Sequence, residues 1–256
     1  TNLPYVDGVH IAFDHHFSET IRNEKMENHI IIPDAPSAAR VVYDYYGGKD
    51  KFPDRFSEMM DAVDKADAAQ FSKEDILNPQ GWDLLSFLMD ARTGLGRFRE
   101  FTVSNYQLMM DLIDYCKDND IDEIMQLSDV QERVNLFNEH TPKEMDQIQR
   151  CSTVHNNLIF LDLRDEETIY ACNRFLIYAL YSECNISIHQ MWGFQKQNIV
   201  FATGGSIVNR SCQTNIGELM LKYGGGGHEK AGTCQIDIDK ADSVKAELIE
   251  SIVANG

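Results

Sequence analysis

The sequence predicts an α/β fold in two lobes, and three observations carry that prediction. Short apolar runs rich in β-branched residues alternate with longer segments of helical spacing. Glycine and polar punctuation separates these segments. A charged stretch rich in Glu and Gln, residues 129–149, has helical character alone and reads as a connector between two such alternations.

Taken in order, Gly8-Val9-His10-Ile11-Ala12-Phe13 reads as a short strand. Asp14-His15-His16 follows at its C-terminal end, where open α/β sheets place their ligands. Ile30-Ile31-Ile32 is a second apolar run. Residues 38–46 have helical spacing after Ser37 and stop at Gly47-Gly48. Helices are expected over 55–65, over 82–89 after the turn Asn78-Pro79-Gln80-Gly81, and over 104–117, ended by Asp118-Asn119-Asp120. Beyond the connector, strands are expected over 157–163, 186–192, 199–203 and 233–238. Helices are expected there over 166–181, 216–222 and 243–253. No repeat or low-complexity tract interrupts the pattern.

At 256 residues the chain is long enough for one or two domains with sizeable cores. No apolar run approaches the roughly 20 residues that cross a bilayer, and Thr1-Asn2-Leu3-Pro4 lacks the pattern of a signal peptide. The six cysteines show no C-x-x-C or zinc-like spacing, so they read as reduced thiols of a cytoplasmic protein. The net charge of −18 argues against a protein that coats long nucleic acid, because phosphate neutralisation dominates that affinity. It favours small phosphorylated substrates drawn in by bound cations and local basic side chains.

Successive side chains on a strand point to opposite faces. Two adjacent histidines aimed at one site therefore require that the strand has already turned. Imidazole is a good ligand for Mn2+, and a neighbouring carboxylate can fix its tautomer. The alternative is one exposed histidine and one helix cap. Near the other end, Gly224-Gly225-Gly226-Gly227-His228 removes every Cβ from a short run, which lets backbone N–H groups approach an anion, with His228 as a further donor. Trp82 and Trp192 sit in apolar patterns and read as core; Tyr43, Tyr45 and Tyr46 divide between core and surface. His10, His29, His140, His155 and His189 have no partner spacing and read as structural.

Phe13-Asp14-His15-His16, followed about 210 residues later by Tyr223 to Gly232, resembles the paired signatures of the DHH/DHHA1 phosphoesterases. The resemblance spans nearly the whole chain. It implies an N-terminal parallel-sheet DHH domain (1–128), a helical connector (129–149) serving as hinge, and a smaller C-terminal DHHA1 domain (150–256). By it His15 is a metal ligand, His16 faces the substrate phosphate and Asp14 supports the site. The family's downstream aspartate, in an Asp-x-x-x-Phe setting, is matched by Asp67 with Phe71, although Ala68-Ala69 stand where Thr and Gly are commoner. Asp64 and Asp90 are rivals, and Arg92 accompanies the second. Asn209-Arg210-Ser211 resembles the Arg-Ser step before the glycine motif, which makes Arg210 a substrate contact together with Gly225, Gly226, Gly227 and His228; one alanine, Ala231, precedes Gly232 where the family has two.

The family's earlier aspartate motifs find no match before Asp14, so the chain is expected to be N-terminally truncated and to supply part of one metal site. What the resemblance implies is a hydrolase that uses two Mn2+ ions, with Mg2+ or Co2+ as substitutes. Its substrates would be short oligoribonucleotides, phosphoadenosine phosphate or dinucleotides. An exopolyphosphatase and a non-catalytic nucleotide sensor are the alternatives. No duplex or membrane partner is expected, and a homodimer is compatible with the family.

Overall fold

The computed structural model describes residue 3, residues 5–22 and residues 26–255. Strand β1 (Ala12–Asp14) is followed by helix α1 (Phe17–Arg22) and lies parallel to β2 (His29–Ile31), with Phe13 opposite Ile30. The expected strand over 8–13 is thus shorter and shifted. Gly8 turns with a φ of 88°, and ladder pairing exists only where β2 runs alongside. Helix α2 (Ala38–Tyr45) starts where the Ser37 hydroxyl accepts from the Arg40 amide at 3.0 Å, and the chain leaves it through Gly47 at φ 102°.

Helix α3 (Arg55–Asp67) runs two residues beyond the expected 65, which puts Asp67 on its last turn. Short α4 (Lys73–Leu77) carries a Ser72/Asp75 capping box and leads to α5 (Gly81–Met89). Then come α6 (Asn105–Asp118), α7 (Ile121–Met125) behind an Asp120/Glu123 capping box, and α8 (Ser128–Cys151). The connector is therefore one continuous helix of 24 residues, about 36 Å long, that runs through Pro142.

The second half is one six-stranded sheet flanked by helices. It comprises β3 (Ser152–His155), β4 (Leu158–Asp162), α9 (Leu176–Leu180), β5 (Ile186–Trp192), β6 (Ile199–Gly205), α10 (Ile216–Leu221), β7 (Gly226–His228), β8 (Ala231–Ile236) and α11 (Ala241–Asn255). The strand order is β3-β4-β5-β6-β8-β7, with β4 and β5 parallel and every other pair antiparallel. The expected strand over 233–238 sits two residues earlier, and β3 and β7 were not expected.

The helix expected over 166–181 shrinks to α9. Three amides among its first ten residues find tertiary partners instead: Ala171 N–H donates to His140 Nδ1 (3.1 Å), Cys172 N–H to the Thr93 carbonyl (3.1 Å) and Tyr170 N–H to Gln147 Oε1 (3.4 Å). Backbone groups satisfied from outside have no need of the i−4 ladder, and tertiary context overrides a weak propensity.

Alternation along β4 assigns its two faces. Leu158 and Phe160 pack with β5, β6, α10 and α11 around Phe201, Met220 and Leu248, while Ile159 and Leu161 point the other way. That second face joins Leu88 of α5, Ile124 of α7, Phe137 of α8 and Leu176 of α9 in one apolar core. Trp82 and Trp192 are half-buried against these cores; Tyr43 is buried, whereas Tyr45 and Tyr46 are exposed. All six cysteines are free. Among the described residues no helix is long and apolar enough to cross a membrane.

Candidate active site

The turn after β1 is made by Asp14 itself. Its side chain is 2% exposed, and Oδ1 accepts from the His15 amide (2.7 Å), the His16 amide (2.8 Å) and His16 Nδ1 (2.7 Å). Burial alone would raise this carboxyl, but the hydrogen bonds from His16 and His15 outweigh it and hold it below its ordinary value. An ionised Asp14 thus bends the chain so that both imidazoles leave on one side, with ring centroids 4.9 Å apart. His16 is half exposed, its Nδ1 tied to Asp14 and its Nε2 left outward.

His15 is held from the opposite direction. Nδ1 lies 3.0 Å from the carbonyl of Ala35, in the loop after β2, so this nitrogen carries the proton. Nε2 then offers a lone pair, and it faces Asp67 Oδ2 at 3.3 Å. Two acceptors this close need a shared cation between or beside them, either a proton on Nε2 or a metal ion. Imidazole with carboxylate is a donor set that suits Mn2+. Among the described residues no group of three or more His, Cys, Asp or Glu side chains gathers to hold a metal, so this pair by itself would supply only part of a ligand set.

Asp67 reaches that position because Phe71 anchors the loop behind it. Phe71 is buried, its ring tilted against Phe87 (centroids 4.6 Å) and Phe175 (5.8 Å), and the Gln70 amide closes back on the Lys65 carbonyl. The bend puts Ala69 at a φ of 49°, a left-handed conformation that glycine adopts without strain. Asp64, one turn earlier, faces elsewhere: it accepts from Ser37 Oγ (2.6 Å) and Arg40 Nε (2.7 Å). Asp90 caps the turn before Arg92 and binds two guanidiniums, Arg92 Nε at 2.8 Å and Arg174 Nε at 3.0 Å. Burial opposes its ionisation, yet these contacts hold Asp90 below its usual value.

Arg210 comes from the far half of the sequence and donates through Nη2 to the carbonyl of Ala69 at 2.7 Å. It is thereby brought to the loop that follows Asp67. The glycine hairpin is tethered to the Arg210 loop, since Gly205 N–H donates to the Lys230 carbonyl (2.8 Å) and Lys230 Nζ to the Cys212 carbonyl (3.1 Å). Two of the four glycines are required by packing. A Cβ at Gly225 would meet the Thr233 carbonyl oxygen at 2.0 Å, and one at Gly227 the Ala231 oxygen at 2.2 Å, whereas Gly226 borders open space. The amides of Gly224 and Gly225 donate to carbonyls at the end of α10. His228 is exposed, and among the described residues no hydrogen bond or ion pair joins it to Asp14, His15, His16 or Asp67.

Beside Asp67 opens a groove of about 840 Å³ walled by α3, α5 and α6, with Asp90, Arg92 and Arg174 also on its lining. Arg174 and the groove escaped the sequence reading. Arg174 fell inside a segment expected to be helical, and a wall assembled from three helices has no local sequence signature.

No protein-family model matches the chain, and no curated protein matches it. Among solved structures it is similar to a pGpG-specific phosphodiesterase, PggH, from Vibrio cholerae. That similarity covers 100% of this chain and 83% of the other at 62% identity, with a TM-score of 0.90. The DHH domain of a member of the s1p family of ribosomal proteins shares the fold at 13% identity and a TM-score of 0.53, over 89% of this chain and 58% of that one.

Proposed function

The chain belongs to the DHH/DHHA1 phosphoesterase family, and on that premise we propose that it is a manganese-dependent phosphodiesterase cleaving short linear dinucleotides such as pGpG. The observation that carries this reading is the facing pair His15 Nε2 and Asp67 Oδ2, with His15 locked into the required tautomer by Ala35. The 62% identity to a pGpG-specific enzyme supports the substrate class.

Bound divalent ions would supply Lewis acidity and a hydroxide at neutral pH, and His15 and Asp67 would hold part of one such ion. Water oxygen bonds to phosphorus and the P–O3′ bond breaks, so one linear dinucleotide yields two mononucleotides. His16 Nε2, positioned by the Asp14 carboxylate, faces outward to meet a phosphoryl oxygen or to pass a proton to the leaving O3′. Arg210, with two of its nitrogens on the carbonyls of Ile207 and Ala69, is fixed where a phosphate crossing between the halves would meet it. His228 and the hairpin are assigned to the substrate's far phosphate. The mostly apolar groove walls speak for a nucleotide over polyphosphate, which has no apolar part to bury.

The test is hydrolysis of pGpG with Mn2+ and again with EDTA, on the wild type and His15→Ala. Cleavage that EDTA abolishes and that the variant loses supports the reading. Equal Mn-dependent turnover by His15→Ala would refute the site assignment, and tight pGpG binding without turnover would make the protein a sensor.

A further inference from the structure

The groove beside Asp67 is larger than packing irregularity explains. At about 840 Å³ it lies in the range of small-ligand sites, roughly 300–1,000 Å³. Its walls are Met59 and Val63 of α3, Trp82 of α5, and Met109 and Ile113 of α6. Met109 and Ile113 are 47% and 65% exposed, so the outer wall is apolar surface left open to solvent. An indole and flexible thioethers suit a flat aromatic guest, because sulfur and aromatic carbon pack well on ring faces and methionine adapts to shape.

The polar end of the groove has a different character. Arg92 and Arg174 each spend Nε on the single carboxylate of Asp90, and their terminal nitrogens make no hydrogen bond to a described residue. Arg174 is further steadied over the Phe175 ring at 4.0 Å. Two guanidiniums on one carboxylate give the Asp90 cluster one net positive charge, with Asp67 the other carboxylate on the groove lining. Free guanidinium edges are suited to a phosphate, which they can bind in bidentate fashion.

We propose that this groove is a nucleotide subsite: one purine base of the dinucleotide lies against the apolar walls, and Arg92 with Arg174 binds an adjoining phosphate at the end near Asp67. The proposal rests on the phosphodiesterase reading above and extends it to the residues that select the substrate. Specificity here comes from burial and stacking of the base, with the arginine pair setting the register of the backbone relative to His15 and Asp67.

Three proteins and three substrates test it. KM is measured with Mn2+ for pGpG and for analogues lacking either guanine, using the wild type, Ala62→Phe, which fills the groove from α3, and Arg92→Ala at its rim. The wild type is expected to bind one abasic analogue at least about tenfold more weakly than pGpG, as loss of a stacked base predicts. Ala62→Phe should raise KM for pGpG to the level of that analogue, and Arg92→Ala should raise KM for all three substrates by about tenfold. A folded Ala62→Phe with the wild-type KM for pGpG, or Arg92→Ala with wild-type KM values, overturns the proposal. Should Ala62→Phe fail to fold, Met109→Trp on the exposed wall replaces it. Calorimetric binding of guanosine 5′-monophosphate in EDTA separates this proposal from the enzymatic one. Binding by the wild type that weakens in the groove variant supports the subsite even if no pGpG is turned over, and equal binding by both overturns it.

Discussion

Asp64 and Asp67 lie one turn apart on α3 yet meet different partners, and on the proposed function this difference selects Asp67 for the chemistry. Asp64 is neutralised by Arg40 and Ser37, whereas Asp67 faces the lone pair of His15. Asp67→Asn is therefore expected to lower kcat/KM by about a thousandfold or more with Mn2+ present, since on the proposed function it removes a ligand anion. Asp64→Asn should instead lose about 1 kcal/mol of stability while keeping catalysis, because the half-buried Arg40 guanidinium loses one of its two carboxylate partners and keeps Asp61. Urea melts and steady-state kinetics on both variants check this, and the reverse pattern would exchange the two roles. Ala69 invites a second substitution. Relief of its left-handed backbone is worth about 1–2 kcal/mol, and the extra unfolded-state freedom of glycine takes back about 0.5–1 kcal/mol. Ala69→Gly should thus stabilise the protein slightly, by up to about 1.5 kcal/mol or a Tm rise of about 3–6 °C at most, and a lower Tm would contradict the strain. The aspartate, both histidines and Asp67 could be read from the sequence because their spacing is local or marked by Phe71. The partners that make them a site, Ala35 and Arg40, could not, since a backbone carbonyl and a surface-like arginine carry no signal until the chain folds.

At the scale of elements, periodic segments were legible and tethered ones were not. Helices α2, α5, α6 and α8 and strand β5 lie close to their expected ranges because amphipathic spacing and capping residues mark them. The segment before α9 departs because side chains of α8, two of them His140 and Gln147, take over its backbone hydrogen bonds. Strand β7 was hidden because a glycine run reads as an anion cradle rather than a strand, although close packing onto β8 is what requires Gly225 and Gly227. Helix α8 also carries a titration. Burial pushes the Glu144 carboxyl from 4.5 up to about 7, with Arg97 opposing and Glu166 adding to the rise, and Glu144 Oε2 has no hydrogen-bond partner among the described residues. A carboxyl whose folded value is raised keeps its proton in the native state after the unfolded chain has released it. Stability therefore falls as pH climbs from about 4.5 through 7, by about 3 kcal/mol for this group, and levels off above. Glu144→Gln should remove that part of the slope between pH 5 and 8 in urea melts; an unchanged slope would place the proton elsewhere.

For the whole molecule, the question is whether the two signatures sit on separable bodies. The structure ties them together at two levels. Arg210 of the distal half donates to Ala69 beside Asp67, and a single apolar core holds Phe71, Leu88, Ile124 and Phe137 together with Ile159, Leu161, Leu176 and Ile177. Helix α8 contributes Val130, Phe137 and Ile148 to burial along its length, so as a hinge it would bend only at the expense of that packing. Each large apolar side chain returned to water costs about 1.5–3 kcal/mol. Residues 150–256 taken alone would expose one face of β4 and most of α9, a loss on the order of 10 kcal/mol, comparable with the whole stability of a typical domain. The intact chain should accordingly unfold in one calorimetric transition with a van't Hoff to calorimetric enthalpy ratio of about 1. The fragment 150–256 should bind a hydrophobic dye and melt without cooperativity. A cooperative melt of that fragment, matched by a second transition in the whole protein, would show two independent bodies. The contact between Arg210 and the Asp67 loop would then be a docking event that opens and closes, rather than a fixed part of the site.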